Sequence, residues 1–221
     1  APSTPAPAAA PGNQPTATTT IDLVDPSRPT VSKGRRISDQ RSLPTTVVYP
    51  TGATAASPVV VFAHGYNADP ALYRRYLELL AANGYVVVAP SFPLTDKRAG
   101  SSIDRGDLPN QAGDLRFVVD QLRANPSLLP VPANLAHIAL VGQSDGADTV
   151  LDAAYGPTAL SADAVVALAP DPFNRPPAGR SPLLVVHGTA DSVTPFSAGR
   201  SVYSSAPSPK VKSRLMEQIS P

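Results

Sequence analysis

The sequence has no cysteine, no tryptophan and a single methionine among its 221 residues. Without cysteine there is no disulfide framework, no thiolate nucleophile and no Cys-ligated zinc, so covalent chemistry must come from Ser, Thr, Lys or a carboxylate. Charge is scarce as well. Charged residues make up 16%, and 18 Lys and Arg against 17 Asp and Glu leave a formal charge of +1 with both signs scattered. That distribution lacks the basic stripe that tracks a phosphate backbone, and nucleic acid is excluded as an expected partner. No apolar run is long enough to cross a bilayer, and no internal repeat is present. What the chain does have is 42% hydrophobic residues, enough at this length for the core of one domain.

Residues Ala1 to Thr20 consist only of Ala, Pro, Thr, Ser, Gly, Asn and Gln. Such a stretch buries too little apolar surface to offset its ordering entropy, so a disordered tail is expected over residues 1–20 and a folded domain over 21–221. The chain opens at Ala1 without a start Met or a leader. It reads as a mature chain after signal-peptide removal, with a secreted location expected.

From Thr45 onward short β-branched runs alternate with longer helical periods. Thr45–Tyr49, Pro58–Phe62, Tyr85–Ala89, His137–Val141, Ala164–Ala169 and Leu183–Val186 read as strands, several of them continuously apolar as in a parallel sheet buried on both faces. Between them, helical patterns follow Asp69, with Leu72, Tyr76, Leu79 and Leu80 on one face and Asn83-Gly84 as the stop. Further helices are expected over Asp114–Ala124, Asp145–Ala154 and Pro195–Ser204. Val211, Leu215 and Ile219 fit either period, and an edge strand is the preferred reading. The whole predicts an α/β fold, a mostly parallel doubly wound sheet with helices on both faces. The charged stretch Leu94–Asn110 is expected to be a solvated surface excursion rather than a gate.

The strongest chemical signal is Gly142-Gln143-Ser144-Asp145-Gly146, between the strand ending at Val141 and a helix. A serine on so tight a strand-to-helix turn sits in a strained conformation, and side chains at the two glycines would collide with neighbouring backbone. The turn lifts the Ser144 hydroxyl above the sheet as a nucleophile. Asp145 carries an unusual charge at that point, since the chemistry asks only for its backbone N–H.

With Phe62-Ala63-His64-Gly65-Tyr66, the segment Asn83 to Pro90, and His187-Gly188-Thr189-Ala190-Asp191 followed by Pro195, the chain resembles the α/β-hydrolases. More narrowly it resembles their secreted serine-esterase branch of lipase-like, cutinase-like and polyester-degrading enzymes. The resemblance spans Leu43 to about Ser204. It implies a single α/β-hydrolase domain and ester hydrolysis through an acyl-enzyme on Ser144. The oxyanion-hole donors would be the backbone amides of Tyr66 and Asp145. Tyr66 and Gln143 would contact substrate, and Asp191 would be the triad acid, favoured over its rival Asp171. No metal or cofactor is implied, the substrate is a small or polymeric ester such as a PET-like polyester, and a monomer is expected.

Histidine is where the sequence departs from that pattern, because nothing after Asp191 is a histidine and only His64, His137 and His187 exist. The resemblance makes His64 and His187 structural and puts His137 at the wrong sheet edge. The base is expected on the loop after the last strand, beyond Pro221. A non-catalytic binding module of the same fold, and an amide or thioester hydrolase, stay open as alternatives.

Overall fold

The computed structural model describes residues 12, 14–53, 55–157, 159–172, 181–206 and 208–215. In chain order the elements are β1 (Thr16–Asp25), β2 (Thr30–Ser32), β3 (Arg35–Ser38), β4 (Arg41–Pro50), β5 (Ser57–Ala63), α1 (Arg74–Ala82) and β6 (Val86–Pro90). There follow α2 (Leu108–Ala124), β7 (Ala133–Gln143), α3 (Asp145–Tyr155), β8 (Ala164–Leu168), β9 (Leu183–Gly188), α4 (Phe196–Ser205) and β10 (Lys210–Leu215). Eight strands form one sheet in the order β1-β4-β6-β5-β7-β8-β9-β10, and β2 and β3 form a separate two-stranded ribbon. From β6 to β10 neighbouring strands are parallel, while β4 is antiparallel to β6 and β1 antiparallel to β4. This is the expected α/β architecture with an antiparallel margin.

Side chains of the central strands alternate between two cores. Val59, Val61, Val86, Val88, Ile138 and Leu140 pack with α2 and α3 through Leu115, Val118, Leu122 and Leu151 on one face. Val60, Phe62, Val87 and Ala89 meet Leu77 and Ala81 of α1 on the other. The continuous valine runs therefore bury both faces, as a parallel sheet requires.

Three readings of the sequence need correction. Thr16 to Thr20 are not part of a tail: they are the first half of β1, paired residue for residue from Thr16 opposite Pro50 to Asp25 opposite Arg41. Threonine suits a pleated strand, and the ladder to β4 supplies the stabilisation that large apolar side chains would otherwise give. The remainder of the expected tail, except Gly12, Gln14 and Pro15, lies outside the described residues. Gly12 donates its N–H to Asn83 Oδ1 at 2.9 Å.

The second concerns α1. Leu72 and Leu79 are exposed, and Leu77 and Ala81 are buried instead. A 3₁₀ turn over Pro70–Tyr73, capped by Asp69, precedes α1, and its tighter winding shifts the helical phase from the one the leucines suggested.

The third concerns residues 94–110, which are not a solvated excursion. Thr95, Asp96 and Asp107 are buried, short 3₁₀ turns cover Lys97–Ser102 and Arg105–Asp107, and α2 begins at Leu108. Arg41, fully buried, forks onto Asp107 here and onto Asp114 of α2. It contacts Asp107 at 2.9 and 2.8 Å and Asp114 at 2.7 and 2.6 Å, and Arg28 adds a bond to Asp114 at 2.7 Å. Ile219 lies outside the described residues. β10 takes the edge position, parallel to β9.

Candidate active site

The parallel strands end level with one another at a single sheet edge, with Ala63 opposite Gly142, Gln143 opposite Leu168 and Leu168 opposite Val186. Loops outside the carboxyl ends of such strands are where α/β sheets bind ligands. Ser144 stands at this edge between β7 and α3 with φ 54° and ψ −127°. That is left-handed backbone for a non-glycine residue, a strain that must be held by its surroundings. Its N–H donates to the Leu168 carbonyl at 2.9 Å, and its own carbonyl accepts from Ala147 N at 2.7 Å.

The flanking glycines are sterically required. A Cβ on Gly142 would lie 2.0 Å from the Gly146 carbonyl oxygen, and one on Gly146 would lie 2.1 Å from the Ala63 carbonyl oxygen. Both obstacles are backbone, so neither can swing aside. The G-x-S-x-G spacing thus lets α3 start against β5 with the serine at its tip.

Among the described residues, the Tyr66 and Asp145 amides donate to no other group. Tyr66 belongs to the peptide unit whose carbonyl is Gly65, and His64 Nδ1 sits 2.8 Å from that carbonyl oxygen. His64 Nε2 accepts from Phe92 N at 3.1 Å, so Nδ1 carries the proton and donates. Both ring nitrogens are therefore spent on backbone, and burial lowers the ring's pKa, leaving His64 a neutral brace. The Gly65 N–H in turn donates to Tyr73 Oη at 3.1 Å, and that hydroxyl donates to Gln143 Oε1 at 2.7 Å. Gln143, expected to contact substrate, thus has its side-chain oxygen tied to the loop carrying Tyr66. The Tyr66 side chain is 40% exposed, which frees it from core packing.

Asp191 follows β9. Its Oδ1 accepts the N–H groups of Val193 and Thr194 at 2.9 and 2.8 Å, while Oδ2 lies 3.8 Å from His187 Nε2. His187 is buried. Its Nε2 lies 2.8 Å from the Thr194 carbonyl, and its Nδ1 faces α4 closely enough that a Cβ on Gly199 would come within 2.4 Å of it. His137 is paired with Asp163 at 2.8 Å near the start of β7, about 20 Å of strand from Ser144. None of the three histidines is free to serve Ser144.

Asp171, the rival acid after β8, is bound by Arg105 Nη2. The same guanidinium grips Asp145, with Nε 2.8 Å from Oδ2 and Nη2 2.6 Å from Oδ1. Asp148, three residues further along in the first turn of α3, accepts the Asp171 N–H at 3.1 Å. Burial, then the charges of Asp171 and Asp145, push the Asp148 carboxyl up to about 7. Arg105, Asp148 and Tyr73 were not singled out by sequence reasoning. A separate cavity of about 470 Å³, lined by Ile37, Pro44, Phe92, Pro93 and Leu94 among others, includes neither Ser144, Tyr66 nor Asp191.

A family model described as chlorophyllase matches residues 9–181. The chain belongs to the chlorophyllase family. This chlorophyllase-family chain is an α/β-hydrolase, and the family places it at a coarse level among carboxylic-ester hydrolases. Among solved structures it is similar to a ferulic acid esterase from Streptomyces cinnamoneus, with a TM-score of 0.76 at 22% identity, covering 95% of this chain and 75% of that one. That likeness concerns the fold. No curated protein matches the sequence significantly. Among the described residues, no helix of this chlorophyllase-family chain is long and apolar enough to cross a membrane.

Proposed function

We propose that the protein hydrolyses carboxylic esters through an acyl-enzyme on Ser144. The observation that carries this reading is the strained Ser144 backbone at the tip of α3, beside two backbone amides that find no acceptor among the described residues. The Ser144 hydroxyl attacks the ester carbonyl, the tetrahedral oxyanion is held by the Tyr66 and Asp145 N–H groups, and the alcohol departs. Water then hydrolyses the acyl-enzyme and restores the serine. Asp191 orients the imidazole that takes the serine proton.

The narrower substrate is an uncharged ester. A hydroxycinnamate-like ester is suggested by the ferulic acid esterase likeness, and a lipid or polyester by the motif resemblance, which also suggests secretion. One observation favours a second reading, a non-catalytic binding module: all three histidines are engaged away from Ser144. An organophosphonate separates the two. The full-length protein should be labelled at Ser144, and Ser144→Ala should lower nitrophenyl-ester turnover by at least 10⁴-fold with the fold intact. An unlabelled serine, or turnover retained in the variant, refutes the esterase reading.

A further inference from the structure

The residue after the nucleophile poses an electrostatic problem. Its N–H is offered to an oxyanion, yet Asp145 also carries a carboxylate, and covalent reach keeps that group within about 4–7 Å of an anion bound to its own amide. Asp148 lies in the same first helical turn. Two acidic groups therefore draw on the positive end of α3 that would otherwise favour the developing charge. The Asp145 side chain is 3% exposed, so solvent does little to screen it.

Arg105 answers this from 40 residues away. It makes the two-pronged contact to Asp145 described above and a third bond to Asp171, while remaining 53% exposed itself. We propose that Arg105 is a positioning residue for the ester hydrolysis: its guanidinium neutralises the Asp145 carboxylate and holds it turned from the oxyanion hole. The inference rests on the serine-esterase reading above. Among the described residues the bonds of Arg105 run to Asp145 and Asp171 and not to Ser144, so its effect reaches the reaction through Asp145. The planar fork suits the task, because it fixes both carboxylate oxygens at once where an ammonium would satisfy only one geometry.

A role of this kind has a kinetic signature different from simple structural support. A neutral ester in the ground state has no charge for a bare Asp145 to repel, whereas the tetrahedral intermediate does, so the loss must fall on kcat. In the full-length protein at pH 8, Arg105→Gln is expected to lower kcat on a neutral nitrophenyl ester by ten- to hundredfold, with KM changed less than threefold. Affinity for an aryl boronic acid, whose adduct on serine is a tetrahedral anion, should weaken by the same factor. Arg105→Lys should recover part of the loss. The deciding variant is Arg105→Gln combined with Asp145→Asn, which removes both charges and keeps the Asp145 amide. It should return kcat to within about threefold of the parent. A double variant as slow as Arg105→Gln, or a loss appearing in KM alone, overturns the proposal. Organophosphonate labelling of the parent at Ser144 reports the esterase reading separately: labelling without rescue sinks only the role of Arg105, and no labelling sinks both.

Discussion

Asp148→Asn is expected to stabilise the protein at alkaline pH and to lose that advantage in acid. The carboxyl is pushed up to about 7, first by burial and then by Asp171 and Asp145, against 3.8 for the free side chain. A shift of about 3 units is worth about 4 kcal/mol at 1.36 kcal/mol per unit, and water reaching the half-buried group makes this an upper bound. The sign follows from proton counting. Between pH 4 and 7 the folded state holds a proton on Asp148 that the unfolded chain has lost, so folded stability falls as pH rises through that window and levels off above about 8. Asparagine has the same shape, keeps an oxygen to accept the Asp171 N–H, and carries no charge beside Asp145. Urea melts followed by far-UV circular dichroism should give an Asp148→Asn advantage of about 2–4 kcal/mol at pH 8.5, shrinking towards zero near pH 4.5. A difference that does not change with pH, or a parent more stable than the variant at pH 8.5, would refute the reasoning.

Other outcomes follow from the same contacts. Arg41→Met leaves the buried Asp107 and Asp114 without their main counter-charge and should cost about 3–5 kcal/mol in a urea melt, most of it regained when both aspartates are also changed to Asn. Gly142→Ala would drive a Cβ to 2.0 Å from the Gly146 carbonyl oxygen, so organophosphonate labelling of Ser144 should fall at least a hundredfold if the variant folds, with thermal unfolding lowered by several degrees. Asp191→Asn should lower ester turnover by about 10⁴-fold while Asp171→Asn costs tenfold or less; equal losses would leave the acid unassigned.

Much of the fold was legible because buried parallel strands announce themselves. Val59 to Phe62 and Val86 to Ala89 form unbroken apolar runs, and the elbow glycines can be inferred from local sterics alone. What escaped was structure whose cause lies far along the chain. β1 is threonine-rich and has no apolar signature over its first half, yet β4 supplies its hydrogen-bond partners. The first turns of α2, Leu108 to Gly113, carry no hydrophobic period. They are fastened by Arg41 to Asp107 and Asp114, and by Gln111, which bonds Thr95 at 2.6 Å and Thr149 at 2.6 Å. The phase of α1 was misread because a 3₁₀ turn, invisible in composition, precedes it. At the candidate site, Ser144, Tyr66 and Asp145 were singled out from one loop or one turn each. Arg105 was not, since nothing in Asp-Arg-Gly-Asp says that its partner is Asp145.

The choice between the two aspartates turns on which carboxylate oxygen is left over. A triad acid must hold one edge of an imidazole and therefore needs an oxygen facing the site that no fixed cation already occupies. Asp171 meets it less well: its Oδ2 is bound by the Arg105 guanidinium, which also grips Asp145, so its charge is already partly balanced. Asp191 meets it. Two turn amides anchor Oδ1, fixing the carboxylate without neutralising it, and among the described residues Oδ2 has only the 3.8 Å approach of His187 Nε2, a nitrogen already spent on the Thr194 carbonyl. The same accounting explains the division of labour at the sheet edge. On the proposed reading, the acidic group after β8 shares the guanidinium that balances Asp145, and the one after β9 keeps an oxygen for the base.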